Sequence, residues 1–189
     1  MLMIPAEARL DALRRQLEAE GLDGFVVPLS DEHMSEYVGS YAQRLAWLTG
    51  FPGSAGTAVV LKDKAAMFVD GRYTLQVRDQ VDGRLYAYES VPQTSPAKWI
   101  AAHAPEGARI GYDGWLHGKR WLDAATKALA DKAIALVPVE RNPIDAIWAE
   151  MRSRLGDAVV TPIAASSAPT RSARSSAGFQ SRACSKNRR

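Results

Sequence analysis

The sequence predicts an α/β fold, a mixed β-sheet flanked by helices, with a disordered C-terminal tail. Short apolar runs alternate with helical periodicities over residues 1–150, the pattern of a layered α/β domain. Two of those runs flank the polar turn Lys62-Asp63-Lys64, which makes them a hairpin and the sheet mixed rather than purely parallel. After Glu150 the chain turns to Ser, Ala and Arg, with Phe179 the only large apolar residue between Ser166 and Ser185. Such a segment buries too little to offset its ordering entropy.

The elements follow in order. Pro5 and Glu7 suit the first turn of a helix whose Leu10, Leu13 and Leu17 share a face. Gly21 stops it, and Leu22 is placed to touch Leu17 as in a Schellman ending. Phe25-Val26-Val27, closed by Pro28, reads as a buried strand. Residues 30–49 read as mostly helical and irregular, and Gly50-Phe51-Pro52-Gly53 as a turn. Thr57–Leu61 and Ala66–Val69 form the hairpin strands. Tyr73, Val77 and Val81 recur every four residues and predict a helix with one buried stripe. Leu85–Tyr88 is a strand, and Ser95 caps a helix through Trp99 and Ile100. Arg109–Tyr112 is a strand, Trp121, Ala125 and Leu129 mark a helix, and Ile134–Val139 is the last strand. Asn142 caps a final helix that opens on Pro143 and carries Ile144, Ile147 and Trp148.

The chain of 189 residues divides into a domain over 1–150 and a Ser/Arg/Ala-rich tail over 151–189. Net charge divides the same way. The first part holds 16 Lys and Arg against 20 acids, and the tail 8 against the single Asp157. The overall pI near 9.1 therefore comes from the tail, and nucleic acid is not an expected partner of the folded part. A lone cysteine, Cys184, excludes an internal disulfide and any cysteine-held metal cluster, so the cytoplasm is the default compartment. The N-terminus turns charged at Glu7, before a signal-peptide core can form, and the longest apolar run ends at Lys62, so a membrane location is not expected.

Motifs that carry chemistry are weak. Asp31-Glu32-His33 with Glu36 places a histidine and carboxylates together, but a metal site needs further ligands, and His103 and His117 have none spaced around them. Gly53-Ser54-Ala55-Gly56 is not a nucleophile elbow, because Pro52 stands where that motif needs glycine. The turn Gly50–Gly56 lacks the lysine of a phosphate loop and precedes a strand, so its glycines serve a sharp turn. The tail arginines lack the interleaved aromatics of a single-strand binder. No catalytic residue and no metal ligand is assigned.

Several strings occur together, however: Ser35-Glu36-Tyr37, Arg44, Thr49 through Ala58, Asp70-Gly71-Arg72-Tyr73 with Gln76, and Asn142 through Trp148. In that order they resemble the N-terminal domain of Xaa-Pro aminopeptidases (aminopeptidase P) of the long multidomain kind, and more broadly the creatinase/prolidase N-terminal domain. The resemblance runs from about Arg9 to Trp148. It implies a mixed sheet flanked by helices. It also implies that full-length relatives hold two divalent metals, usually manganese, in a separate C-terminal domain, where the metals activate water and polarise the scissile carbonyl. Their five ligands cannot be placed on residues 151–189, which contain no His or Glu. The chain alone is expected to be inactive and to hold no cofactor. A frameshift or truncated gene copy would produce such a break, and reading the encoding DNA in the other frames past codon 150 tests it.

The resemblance further implies a non-catalytic domain that supports oligomerisation and narrows access to that two-metal site. Expected partners are a second copy or a full-length peptidase; the alternative is a stand-alone protein-interaction module without activity. Arg72 and Tyr73, at a strand end leading into a helix, are the candidates for a substrate entrance or interface. Against this stands a purely structural role, with Arg72 paired to a neighbouring acid and Tyr73 packed at the helix start.

Overall fold

A computed structural model describes residues 4–154. It is a six-stranded mixed sheet between two helical layers. The strands are β1 (Gly24–Pro28), β2 (Thr57–Leu61), β3 (Ala65–Val69), β4 (Ala87–Ser90), β5 (Arg109–Asp113) and β6 (Ala135–Val139), in the order β4-β3-β2-β1-β5-β6. β2 is antiparallel to both neighbours, and the other pairs are parallel, so five strands run one way and β2 the other.

Alternation along the strands feeds both layers. Phe25, Val27, Val60 and Met67 face α1 (Ala6–Ala19), α2 (Arg44–Thr49) and α6 (Pro143–Arg154), where Leu10, Leu13, Leu17, Leu45, Leu48 and Ile144 are buried. Val26, Val59, Phe68 and Ile110 face α4 (Pro96–His103) and α5 (Lys119–Leu129) through Trp99, Ile100 and Leu129. A short α3 (Gln76–Gln80) connects β3 to β4.

Helix ends follow the expected chemistry. Gly21 takes φ +66°, the Leu22 N–H donates to the Leu17 carbonyl at 2.8 Å, and the Gly21 N–H donates to Glu18 at 3.1 Å, a complete Schellman pair. The Lys98 N–H donates to Ser95 Oγ, and the Ile144 N–H to Asn142 Oδ1.

Three expectations are corrected. Residues 30–43 are not mostly helical. Asp31 Oδ1 accepts the N–H groups of His33 and Ser35, which closes an Asx-type turn in place of a helix, and Met34 sits at φ 53°. The helix expected from Tyr73 to Val81 is split: Gly71–Tyr73 is a 3₁₀ turn capped by Asp70, and α3 begins only at Gln76. The strand expected at Leu85–Tyr88 starts two residues later, because the N–H groups of Leu85 and Tyr86 both donate to the Asp82 carbonyl and hold a turn. α6 runs to Arg154, past the boundary read from composition, and the tail read as disordered lies outside the described residues from there on.

Candidate functional site

Because five strands share a direction, their carboxyl ends meet at one edge of the sheet. Loops 29–43, 70–75, 91–95, 113–118 and 140–142 emerge there, and so does the glycine turn, since the Leu29 N–H donates to the Gly56 carbonyl and Pro28 faces Thr57 across β1 and β2. β1 and β5 are neighbours whose connections lead to opposite sides of the sheet. That reversal is where open α/β sheets place ligands.

Two buried carboxylates stand at this point, and both are engaged by the fold. Asp31, 3% exposed, closes its own turn, and its carboxyl is held below the usual range first by the Ser35 N–H. Asp113 Oδ1 accepts from the Trp115 N–H, and its Oδ2 accepts from Asn142 Nδ2 at 3.0 Å, which ties β5 to the cap of α6. The nearby Arg44 guanidinium forms a two-pronged pair with Asp145 at 2.8 and 2.9 Å, across 101 residues. Burial alone would lower Arg44; the hydrogen bonds and charge of Asp145 reverse the sign and raise it.

The strings that carry the resemblance contact one another: Arg44 holds Asp145, and Ser54 meets the Tyr73 hydroxyl. Trp47, which lies outside those strings, stacks on Trp148 with ring centroids 5.5 Å apart. Thr49 Oγ1 donates to Leu45 and accepts from the Phe51 N–H, and Gly50 ends α2 at φ +85°. Gly53 and Gly56 do not take positive φ. They are places of close approach: a Cβ on Gly53 would lie 2.3 Å from the Phe51 ring, and one on Gly56 2.7 Å from Met67.

Of the two candidate residues, Arg72 forms a fork with Asp70, its Nη2 2.7 Å from Oδ2, and its guanidinium lies 5.3 Å from the Tyr73 ring centre. Tyr73 packs edge-on against Phe51, and its hydroxyl lies 2.6 Å from Ser54 Oγ while also accepting the Ser54 N–H. These bonds, the Oγ one foremost, hold the phenol below its ordinary value. Both residues thus stand at the carboxyl edge, next to the glycine turn, with partners inside the domain.

The Asp31, Glu32, His33 and Glu36 cluster does not assemble a ligand set. Glu32 accepts from the Tyr41 hydroxyl and lies 3.7 Å from His33, while Asp31 serves backbone donors. Among the described residues no three His, Cys, Asp or Glu side chains converge as metal ligands. The described residues thus offer no ligand set for the two metals implied for full-length relatives. A shallow pocket of about 290 Å³ lies along β6, lined by Glu20, Leu22, Arg109, Val137, Glu140 and Arg141, with no serine, threonine, cysteine or histidine in its wall.

Sequence reasoning missed the Arg44–Asp145 and Asp113–Asn142 links and the setting of His117. The imidazole of His117 lies 4.0 Å from the Trp121 ring and edge-on to Tyr112, with Nδ1 on the Asp113 carbonyl and Nε2 buried without a partner. Burial pushes it below its ordinary value. Only the i, i+4 spacing of His117 and Trp121 hinted at it.

Comparison with known proteins agrees with this geometry. Residues 9–153 match the Creatinase/Prolidase N-terminal domain, and the chain belongs to that family. It is 39% identical over 144 residues to Xaa-Pro aminopeptidase 2 of Rattus norvegicus, covering 76% of this chain and 21% of that protein. With aminopeptidase P2 of Arabidopsis thaliana the identity is 34%, over 80% of this chain and 22% of that one. The chain thus spans about a fifth of the length of the curated relatives it matches. Among solved structures, the X-prolyl aminopeptidase of Caenorhabditis elegans, described as a cytosolic enzyme with a di-nuclear active site, superposes with TM-score 0.73 at 26% identity over 78% of this chain and 26% of its own. The N-terminal domain of the cytoplasmic peptidase PepQ from Mycobacterium tuberculosis gives 0.58 at 28%, over 74% of this chain and 98% of that domain.

Proposed function

We propose that this chain is the N-terminal, non-catalytic part of a cytoplasmic Xaa-Pro aminopeptidase. In this reading it supports assembly and narrows access to a two-metal site supplied by the rest of such a protein, and it holds no cofactor itself. The observation that carries the reading is the match over 9–153 to relatives of which it covers only about a fifth. The edge chemistry supports it. The carboxylates at the strand reversal are committed to turns, caps and ion pairs, which leaves the described residues without a set that could hold metals and activate water. Among the described residues, no helix is long and apolar enough to cross a membrane.

A hybrid tests this. Residues 1–154 replace the matching N-terminal part of the Caenorhabditis elegans enzyme, and release of the first residue from an Xaa-Pro peptide is measured with manganese present. The hybrid is expected to cleave, while neither piece does so alone. A hybrid without activity contradicts the reading.

A further inference from the structure

The two edges of the sheet both carry charges, with Glu32, Arg72, Glu140 and Arg141 exposed at the carboxyl edge, but they differ in exposed apolar surface. At the amino edge the turns are charged: Asp23 pairs with Lys62 at 2.6 Å, Asp82 with Arg84 at 2.5 Å, and Glu106, Asp131 and Lys132 are exposed. The carboxyl edge carries Met34, Tyr37, Tyr41, Leu75, Val91 and Trp115. These are all the large apolar residues exposed among the described residues, with Tyr37 83% and Trp115 75% accessible. They come from four separate loops, after β1, β3, β4 and β5, and only the direction of the strands gathers them. Solvent-exposed aromatics scattered singly need no explanation, but their confinement to one edge does. Trp, Tyr and Met are among the residues enriched at protein interfaces, whereas Leu and Val, here Leu75 and Val91, are under-represented at their hot spots.

We propose that this edge is a docking face, and that its occupant is the remainder of a full-length aminopeptidase chain, about four-fifths of the relatives' length. The inference rests on the reading in the preceding subsection and specifies its surface. α6 begins at the carboxyl edge with Asn142 capping it, and its 12 residues run about 18 Å back toward the amino edge. A segment directly following α6 therefore starts far from Trp115 and Tyr37. Covering them takes a folded part distant in sequence, and the relatives have the length to supply one. The chemistry asked of that part is an apolar surface offering pockets for an indole and a phenol, with polar groups for their N–H and O–H at the rim.

The test uses the isolated 189-residue chain and the hybrid described above, with oxidative footprinting of Trp115 and Tyr37. In an active hybrid, both side chains are expected to react about tenfold more slowly than in the isolated chain. Trp115→Ser with Tyr37→Ser should leave the melting temperature of the isolated chain unchanged and lower that of the hybrid, whereas Arg84→Ser at the amino edge changes neither. An active hybrid in which Trp115 and Tyr37 react as fast as in the isolated chain overturns the docking face and leaves the functional reading standing. An inactive hybrid removes both. A dimer of the isolated chain that Trp115→Ser dissociates would put a second copy on this edge and contradict the proposed occupant. A lowered melting temperature of the isolated double variant would make the two rings part of the domain's own packing, which also contradicts it.

Discussion

Arg44 illustrates how single residues act in this domain. Its side chain is 12% exposed and held by both oxygens of Asp145. Arg44→Ala leaves a half-exposed carboxylate rather than a buried one, so the expected loss is about 1–2 kcal/mol, short of a fully buried pair and beyond a surface one. Urea denaturation of Arg44→Ala, Asp145→Ala and the double variant checks it, with the double variant costing less than the sum. Gly53→Val forces a Cβ to within 2.3 Å of the Phe51 ring, and the displaced ring should cost about 1–3 kcal/mol in the same assay. Ser54→Ala removes one exposed hydrogen bond to Tyr73 and should cost about 0.5–1 kcal/mol. A Ser54→Ala loss as large as that of Gly53→Val would contradict this ordering. The need for glycine at 53 and 56 was legible in the sequence, but its cause was not. Phe51 folds back onto Gly53, and no local rule announces that.

At the scale of elements, what could be read was what local chemistry decides. Gly21 after a leucine stripe wrote the end of α1, and Asn142-Pro143 wrote the start of α6. Loop 29–43 was misread because Asp31-Glu32-His33 has the composition of a helix start, while Asp31 uses its side chain to hold a turn instead. Links across 101 and 29 residues, Arg44–Asp145 and Asn142–Asp113, depend on sheet order, which spacing alone does not disclose. The β5–α5 turn has its own test. His117 is depressed by burial, with Nδ1 on the Asp113 carbonyl and the Asp113 carboxylate the charge that opposes the shift. A depressed folded-state value means that stability is fully present above the ordinary imidazole range and is lost as pH falls through it toward the folded value. The urea midpoint should therefore begin to drop as pH falls below about 7, and His117→Phe should flatten that drop. A wild-type profile unchanged by the substitution would remove His117 as its source.

Across the whole molecule, the strings that resemble aminopeptidases contact one another through Arg44–Asp145 and Ser54–Tyr73. Trp47 in α2 stacks on Trp148 in α6, over the same layer that buries Ile144 and Ile147. Trp148 is half-buried, so Trp148→Ala should cost about 2–3 kcal/mol, at or below the lower end for a fully enclosed indole. Thermal unfolding compared with Trp47→Ala measures the shared stack. The central claim, proposed above, is that these residues build a framework and hold no turnover of their own. The most direct measurement is release of the first residue from an Xaa-Pro peptide by the purified chain supplied with manganese. No release above background is expected, with or without His33→Ala. Metal-dependent release that copurifies with the chain and disappears in His33→Ala would contradict the account and move the active site into this domain.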